Sequence, residues 1–173
     1  MLNSLMFLTL RATHVLFAAV WIGSTAYILL LLGPVVEEAG PAGGQIMMRL
    51  DRRGLHTYMA IASMTTIFSG AYLLYRFTGG FDPGVITTHA GLAFGGGGAA
   101  GILAGIIGAT VIGRSGSQVV AIMSKAVGVP DGPEKGAMMQ RAAALRQRIK
   151  SGTRVVMALQ ATALLLMSVG HYV

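Results

Sequence analysis

The 173-residue sequence contains no cysteine. That excludes disulfides, iron–sulfur clusters and thiolate-held zinc or copper together. Any metal chemistry would have to use His, Met, carboxylate or carbonyl groups. Charge is also scarce: 11% of residues are charged, against about a quarter in ordinary soluble domains. The acids number only six, Glu37, Glu38, Asp51, Asp82, Asp131 and Glu134. All fall at helix ends or in loops, so no carboxylate is placed as a membrane-embedded proton carrier. No HExxH pair, nucleophile–base pair or nucleotide motif occurs, and nothing forms a catalytic constellation. The GGGG run at 95–98 has no Lys or Ser/Thr partner and is not a phosphate loop.

What is present is apolar. Hydrophobic residues make up 54% of the chain, and its mean hydropathy is +0.68. The 25 glycines would weaken a soluble helical protein but let helices approach closely in lipid. Four apolar spans emerge, at about 10–36, 55–76, 84–113 and 154–172. The first is uncharged over 15–36, long enough for a ~30 Å hydrocarbon core and too long for a signal-peptide core. Gly40 to Gly44 reads as a Gly/Pro-rich turn. Asp82 followed by Pro83 reads as the N-cap and first position of the third helix. The expected fold is all-α: one membrane domain over 1–173, a four-helix bundle running up-down-up-down.

Lysine and arginine set the orientation. The side of the N-terminus carries Arg11 and Arg76. The opposite side carries Arg49, Arg52, Arg53, Arg114, Lys125, Lys135, Arg141, Arg146, Arg148, Lys150 and Arg154. The positive-inside rule makes the second side cytoplasmic, with both termini outside. The net charge of +7 is thus sorted by topology, which argues against nucleic acid and for an anionic leaflet. Between spans three and four, Val119, Met123 and Ala126/Val127 recur at helical spacing, as do Met138, Ala142, Leu145 and Ile149. Two arms of similar length meet at the Pro130–Pro133 turn. A cytoplasmic helical hairpin over 114–150 is expected, with one amphipathic helix lying on the bilayer as the rival.

The four histidines, His14, His56, His89 and His171, fall on different spans. Counted from the cytoplasmic boundary, His14, His89 and His171 lie roughly 33, 36 and 24 Å up at 1.5 Å per residue. His56 lies at the cytoplasmic interface. Ionisable groups inside a membrane usually face the bundle interior. His14 and His89 are the best pair for a haem b, with Arg11 or Arg76 for its propionates. A copper site would use His14, His89 and His171, with Met167 as a soft ligand. Set against these, all four histidines lie near an interface, where imidazoles often serve packing alone. The 11 methionines read mainly as core filler. Gln160, Ser24, Thr25, Thr65 and Thr66 read as hydrogen-bonding groups between helices or to their own backbone. The third span has two small-residue faces, Gly91, Gly95 and Ala99, and Gly97, Gly101, Gly105 and Ala109. Either allows a close helix neighbour, one of which could belong to a larger membrane complex or a second copy.

The stretch LRATHVLFAAVWIGSTAYILLLLGP, with His14, Trp21, Gly23 and Pro34, resembles the opening helix of CopD-like membrane proteins, a bacterial group related to copper resistance protein D and similar in outline to HemJ-type proteins. The ending LLLMSVGHYV is similar to that group too. The resemblance implies a bacterial inner-membrane four-helix unit connected with copper or haem, and a ligand role for His14. Two functions stand side by side: a small haem- or copper-binding protein for electron transfer or metal handling, and a non-catalytic accessory subunit of a larger complex.

Overall fold

The structure is a computed structural model and describes residues 2–170 and 172. It is all-α, with no strand among the described residues. Helix α1 spans Leu2–Tyr27, and a π-helical turn at Ile28–Leu32 joins it to α2, Gly33–Glu38. Helix α3 is Gly40–Arg52, α4 is Leu55–Phe77, α5 is Pro83–Ile86 and α6 is His89–Ile107. A second π segment, Gly108–Gly113, carries α6 into α7, Arg114–Ala126, and α8 is Pro133–Val169.

Four of the resulting rods are long and apolar enough to cross a membrane: Ser4–Glu38, Leu55–Phe77, His89–Ala126 and Pro133–Val169. Three of them are about 52–57 Å long at 1.5 Å per residue, against a hydrocarbon core of about 30 Å. Their ends therefore project well beyond α4. The core takes one residue from each rod: Trp21, Ala62, Ala104 and Val156. Two of these are alanine, so the backbones come close. The polarity of a soluble bundle is inverted: Phe68 is 70% exposed and Leu165 65%. The buried threonine hydroxyls bond along their own helices. Thr25 donates to Trp21 O, Thr66 to Ala62 O and Thr153 to Ile149 O, at 2.8–2.9 Å, the i−4 back-bonding open to helical threonine.

Several boundaries differ from the sequence reading, each for a local reason. The 40–44 stretch is the start of α3 rather than a turn. Pro41 occupies the first turn of that helix, where a missing N–H costs nothing. The π turn precedes Pro34, and the Gly33 N–H bonds to Ile28 O, five residues back. Pro34 has no N–H to continue the ordinary ladder, and the wider turn absorbs the break. Asp82 does cap a helix, its Oδ1 accepting from Gly84 N at 2.8 Å, but α5 lasts a single turn. Thr88 then caps α6, its Oγ1 accepting from Gly91 N at 3.0 Å. The long third helix thus begins at His89, not at residue 84. Gly91 permits this break, because a Cβ there would sit 2.1 Å from Val85 O. Between α3 and α4, Gly54 takes φ +92°, a left-handed helix stop that favours glycine.

The α7 and α8 arms pack on each other as a hairpin. Ala126 and Ala142 are buried in the seam at 4% and 1% exposure. Met123, Leu145 and Ile149 are partly buried, whereas Val127 is 88% exposed beyond the helix end. The α2–α3 hairpin leans on the same α8 stem, where Lys150 Nζ binds both Glu37 carboxylate oxygens at 2.7 and 2.8 Å.

Candidate functional site

Register follows from the close approaches. Ser24 Oγ lies 3.4 Å from Tyr58 Oη, and His14 meets α4 two and a half turns further on, so α1 and α4 run antiparallel. A Cβ on Gly105 would lie 2.6 Å from Ile67 Cδ1, and one on Gly98 4.0 Å from Leu74. Seven residues up α6 match seven down α4, which puts position 103 level with Ser69. On α8, Ala163 O and Met167 crowd Gly97, and Val111 and Ile112 crowd Gly152. Gln160 is therefore level with Ala100–Ala104.

At that height His14 is partly buried and fixed. Its Nδ1 lies 2.9 Å from Thr66 O and 3.2 Å from Ser69 Oγ. The carbonyl can only accept, so Nδ1 carries the proton and Nε2 keeps the lone pair when the ring is neutral. The ring fits because α4 has Gly70 opposite it: a Cβ there would lie 2.6 Å from His14 Cε1. Within about one turn of the same height lies Gln160, 2% exposed. Neither its Nε2 nor its Oε1 has a hydrogen-bond partner among the described residues. Gln160 thus makes neither the interhelical bond nor the bond to its own backbone expected of it.

The other expected ligands are dispersed. His89 is the exposed first residue of α6. It lies fourteen residues from position 103, about 21 Å along the axis. The structure does not bring His14 and His89 together, because α6 starts after the Thr88 cap and its His rides at the helix tip. His171 lies outside the described residues. Arg76 lines a shallow groove with Ser4, Phe7 and Leu8 of α1, and Arg11 is exposed on the same helix three residues after Leu8. Met167 packs on Gly97. No group of three or more His, Asp or Glu able to hold a metal occurs among the described residues.

The glycine faces divide in the same manner. Gly91 abuts α5, Gly97 takes Met167 of α8, and Gly105 takes Ile67 of α4; a Cβ at Gly95 or Gly101 meets nothing within 4 Å. Gly91, Gly97 and Gly105 are therefore used inside the chain. One arrangement had no signal in the sequence. His56 Nδ1 pairs with the Asp51 carboxylate at the end of α3. Its ring lies where a Cβ on Gly116 of α7 would be 2.8 Å from Nε2. His56, exposed at the basic end, thus pairs α4 with α3 and abuts α7.

These features define an all-α chain of four rods long and apolar enough to cross a membrane, with one polar layer at the height of His14. Comparison with protein-family models, curated proteins and solved structures finds no match to the chain.

Proposed function

We propose that the chain is a multi-pass membrane protein that acts as a non-catalytic packing subunit of a larger membrane assembly. Its first and last ends lie on the non-cytoplasmic side, periplasmic in a bacterium, and the α7–α8 hairpin lies in the cytoplasm. The distribution of arginine and lysine supports that orientation. The observation that carries the subunit reading is the pair Gly95 and Ala99. They are one turn apart on α6, nothing in the chain lies within 4 Å of a Cβ on Gly95, and Ala99 is exposed. Small residues four apart on an outer face let a second helix pack backbone to backbone. A photo-crosslinking side chain at Ala99 is expected to give a protein adduct in membranes, and the same group at Phe68 none. Absence of an adduct at Ala99 would remove the reading.

A second reading keeps His14 as an anchor for haem b or copper. It is favoured by the Nδ1 bond to Thr66 O, the device that fixes metal-ligating imidazoles, and by the unpartnered amide of Gln160 at the same height. The resemblance to CopD-like proteins points the same way. A haem held by His14 and His89 does not fit their 21 Å offset (about fourteen helical residues), so His14 is the single anchor the arrangement offers. Oxidised and dithionite-reduced absorption spectra of detergent-purified protein decide this. A Soret band lost in His14→Ala supports haem, bound copper by metal analysis supports the metal, and a colourless, metal-free chain removes both.

A further inference from the structure

Between the π turn after α1, the face of α3 and the start of α4 lies a groove of about 480 Å³, within the roughly 300–1,000 Å³ of small-molecule sites. Among the described residues its lining carries no charge. Gly23, Ile28 and Leu32 come from α1 and its π turn, and Ile46 and Leu50 from α3. The polar groups are hydroxyls, those of Ser24, Tyr27 and Tyr58. At the Gly23 end Ser24 Oγ meets Tyr58 Oη at 3.4 Å, joining α1 to α4. One hydrogen bond between two hydroxyls uses only one of their protons. The second proton finds no acceptor among the described residues, and neither does that of Tyr27. Gly23 leaves room beside them, since a Cβ there would meet nothing within 4 Å. Leu32 lies roughly 13 Å further along the rod, and that end of the groove is aliphatic.

We infer that this groove binds a neutral membrane quinone ring first, with a ring carbonyl on the hydroxyls of Ser24 and Tyr58 and the tail along Ile28, Leu32, Ile46 and Leu50. The inference rests on the membrane-spanning reading, which brings lipid-soluble molecules to the groove. The order of the lining selects the class. Donor hydroxyls stand at one end and aliphatic side chains follow, which matches a head that accepts hydrogen bonds and carries an apolar tail. A phosphate head would meet a lining without a cation and stay unpaired. A bare acyl chain would press its methyl end on the hydroxyls and leave their protons unused. A quinone carbonyl takes the free proton, and its flat ring fits against the bare backbone of Gly23.

Trp21 is the one tryptophan of the chain, two residues before Gly23, and its fluorescence reports a ring bound there. The full chain, purified in detergent, is titrated with decylubiquinone. Quenching is expected to saturate at one quinone per chain, above the linear quenching of quinone dissolved in micelles. Tyr58→Phe with Ser24→Ala is expected to raise the half-saturating concentration about tenfold. Gly23→Leu fills the ring's place and is expected to leave only the linear part, with helix content unchanged. Linear quenching of the wild type overturns the proposal, as does saturation that the double substitution does not move. If a variant does not fold, undecylbenzene decides on the wild type, since it has a ring and a tail but no carbonyl. It is expected not to displace the quinone, and displacement at equal concentration overturns the proposal. Retention of the chain in carbonate-washed membranes tests the spanning reading separately, so a chain that stays in the membrane without saturable quenching sinks only the quinone site.

Discussion

The imidazole of His14 and the amide of Gln160 share a height in the bundle but have opposite surroundings. His14 is held by Thr66 O and Ser69 Oγ and seated against Gly70; Gln160 is buried with both ends unpaired. Two substitutions separate packing from function. Gly70→Ala places a Cβ 2.6 Å from His14 Cε1, so the ring must leave the Thr66 carbonyl or the helices must part. A loss of about 1–3 kcal/mol is expected, read as a lower unfolding temperature in detergent, whereas Gly101→Ala, with open space around it, is expected to be neutral or mildly stabilising. Gln160→Leu removes an amide whose burial without partners costs about 1–3 kcal/mol. The variant is expected to be as stable as the wild type or more so. A marked loss of stability or of bound chromophore would show instead that the amide holds something. Neither residue's environment was legible in the sequence. The residues facing them are set by the register of α1 on α4 and of α6 on α8, which hydropathy does not encode.

Among the elements, those fixed by long apolar runs were legible, and those set by a local break were not. The hairpin of α7 and α8 could be read from two stripes at helical spacing, and Ala126 and Ala142 do form its seam. The Asp82–Pro83 cap was legible too, but not its end one turn later, because a second cap at Thr88 competes for the same stretch. Gly40–Gly44 misled since glycine and proline mark turns as often as helix starts. The hairpin turn carries its own pH dependence. Lys135 Nζ donates to Asp131 Oδ1 at 2.7 Å, and that bond together with the lysine charge holds the Asp131 carboxyl below its ordinary value of 3.8. A carboxylate with a lowered folded pKa adds stability above its unfolded pKa and loses it as pH falls through the folded value. The turn is therefore expected to hold unchanged from pH 7 to about pH 5 and to loosen only below about pH 4. Hydrogen exchange across 127–135 measures this, and Asp131→Asn is expected to remove the dependence.

For the whole molecule, the distribution of charge and the lengths of the rods fit together. Three of the rods outrun a ~30 Å hydrocarbon core, and their extra length lies at the end where the 49–53 segment, α7 and α8 as far as Arg154 gather eleven of the thirteen basic residues. There the Glu37–Lys150 pair joins the α2–α3 hairpin to α8 and the His56–Asp51 pair joins α4 to α3, so the basic end is packed helix rather than a set of loops. In the proposed orientation this end is cytoplasmic, and α1, α4, α6 and α8 cross the bilayer beneath it. The absence of cysteine makes the claim directly measurable: introduce a single cysteine at Ser4 or at Ser124 and treat intact cells with a membrane-impermeant maleimide. The account predicts labelling of Ser4→Cys in intact cells and of Ser124→Cys only after permeabilisation. Labelling of Ser124→Cys in intact cells, with Ser4→Cys protected, would contradict it.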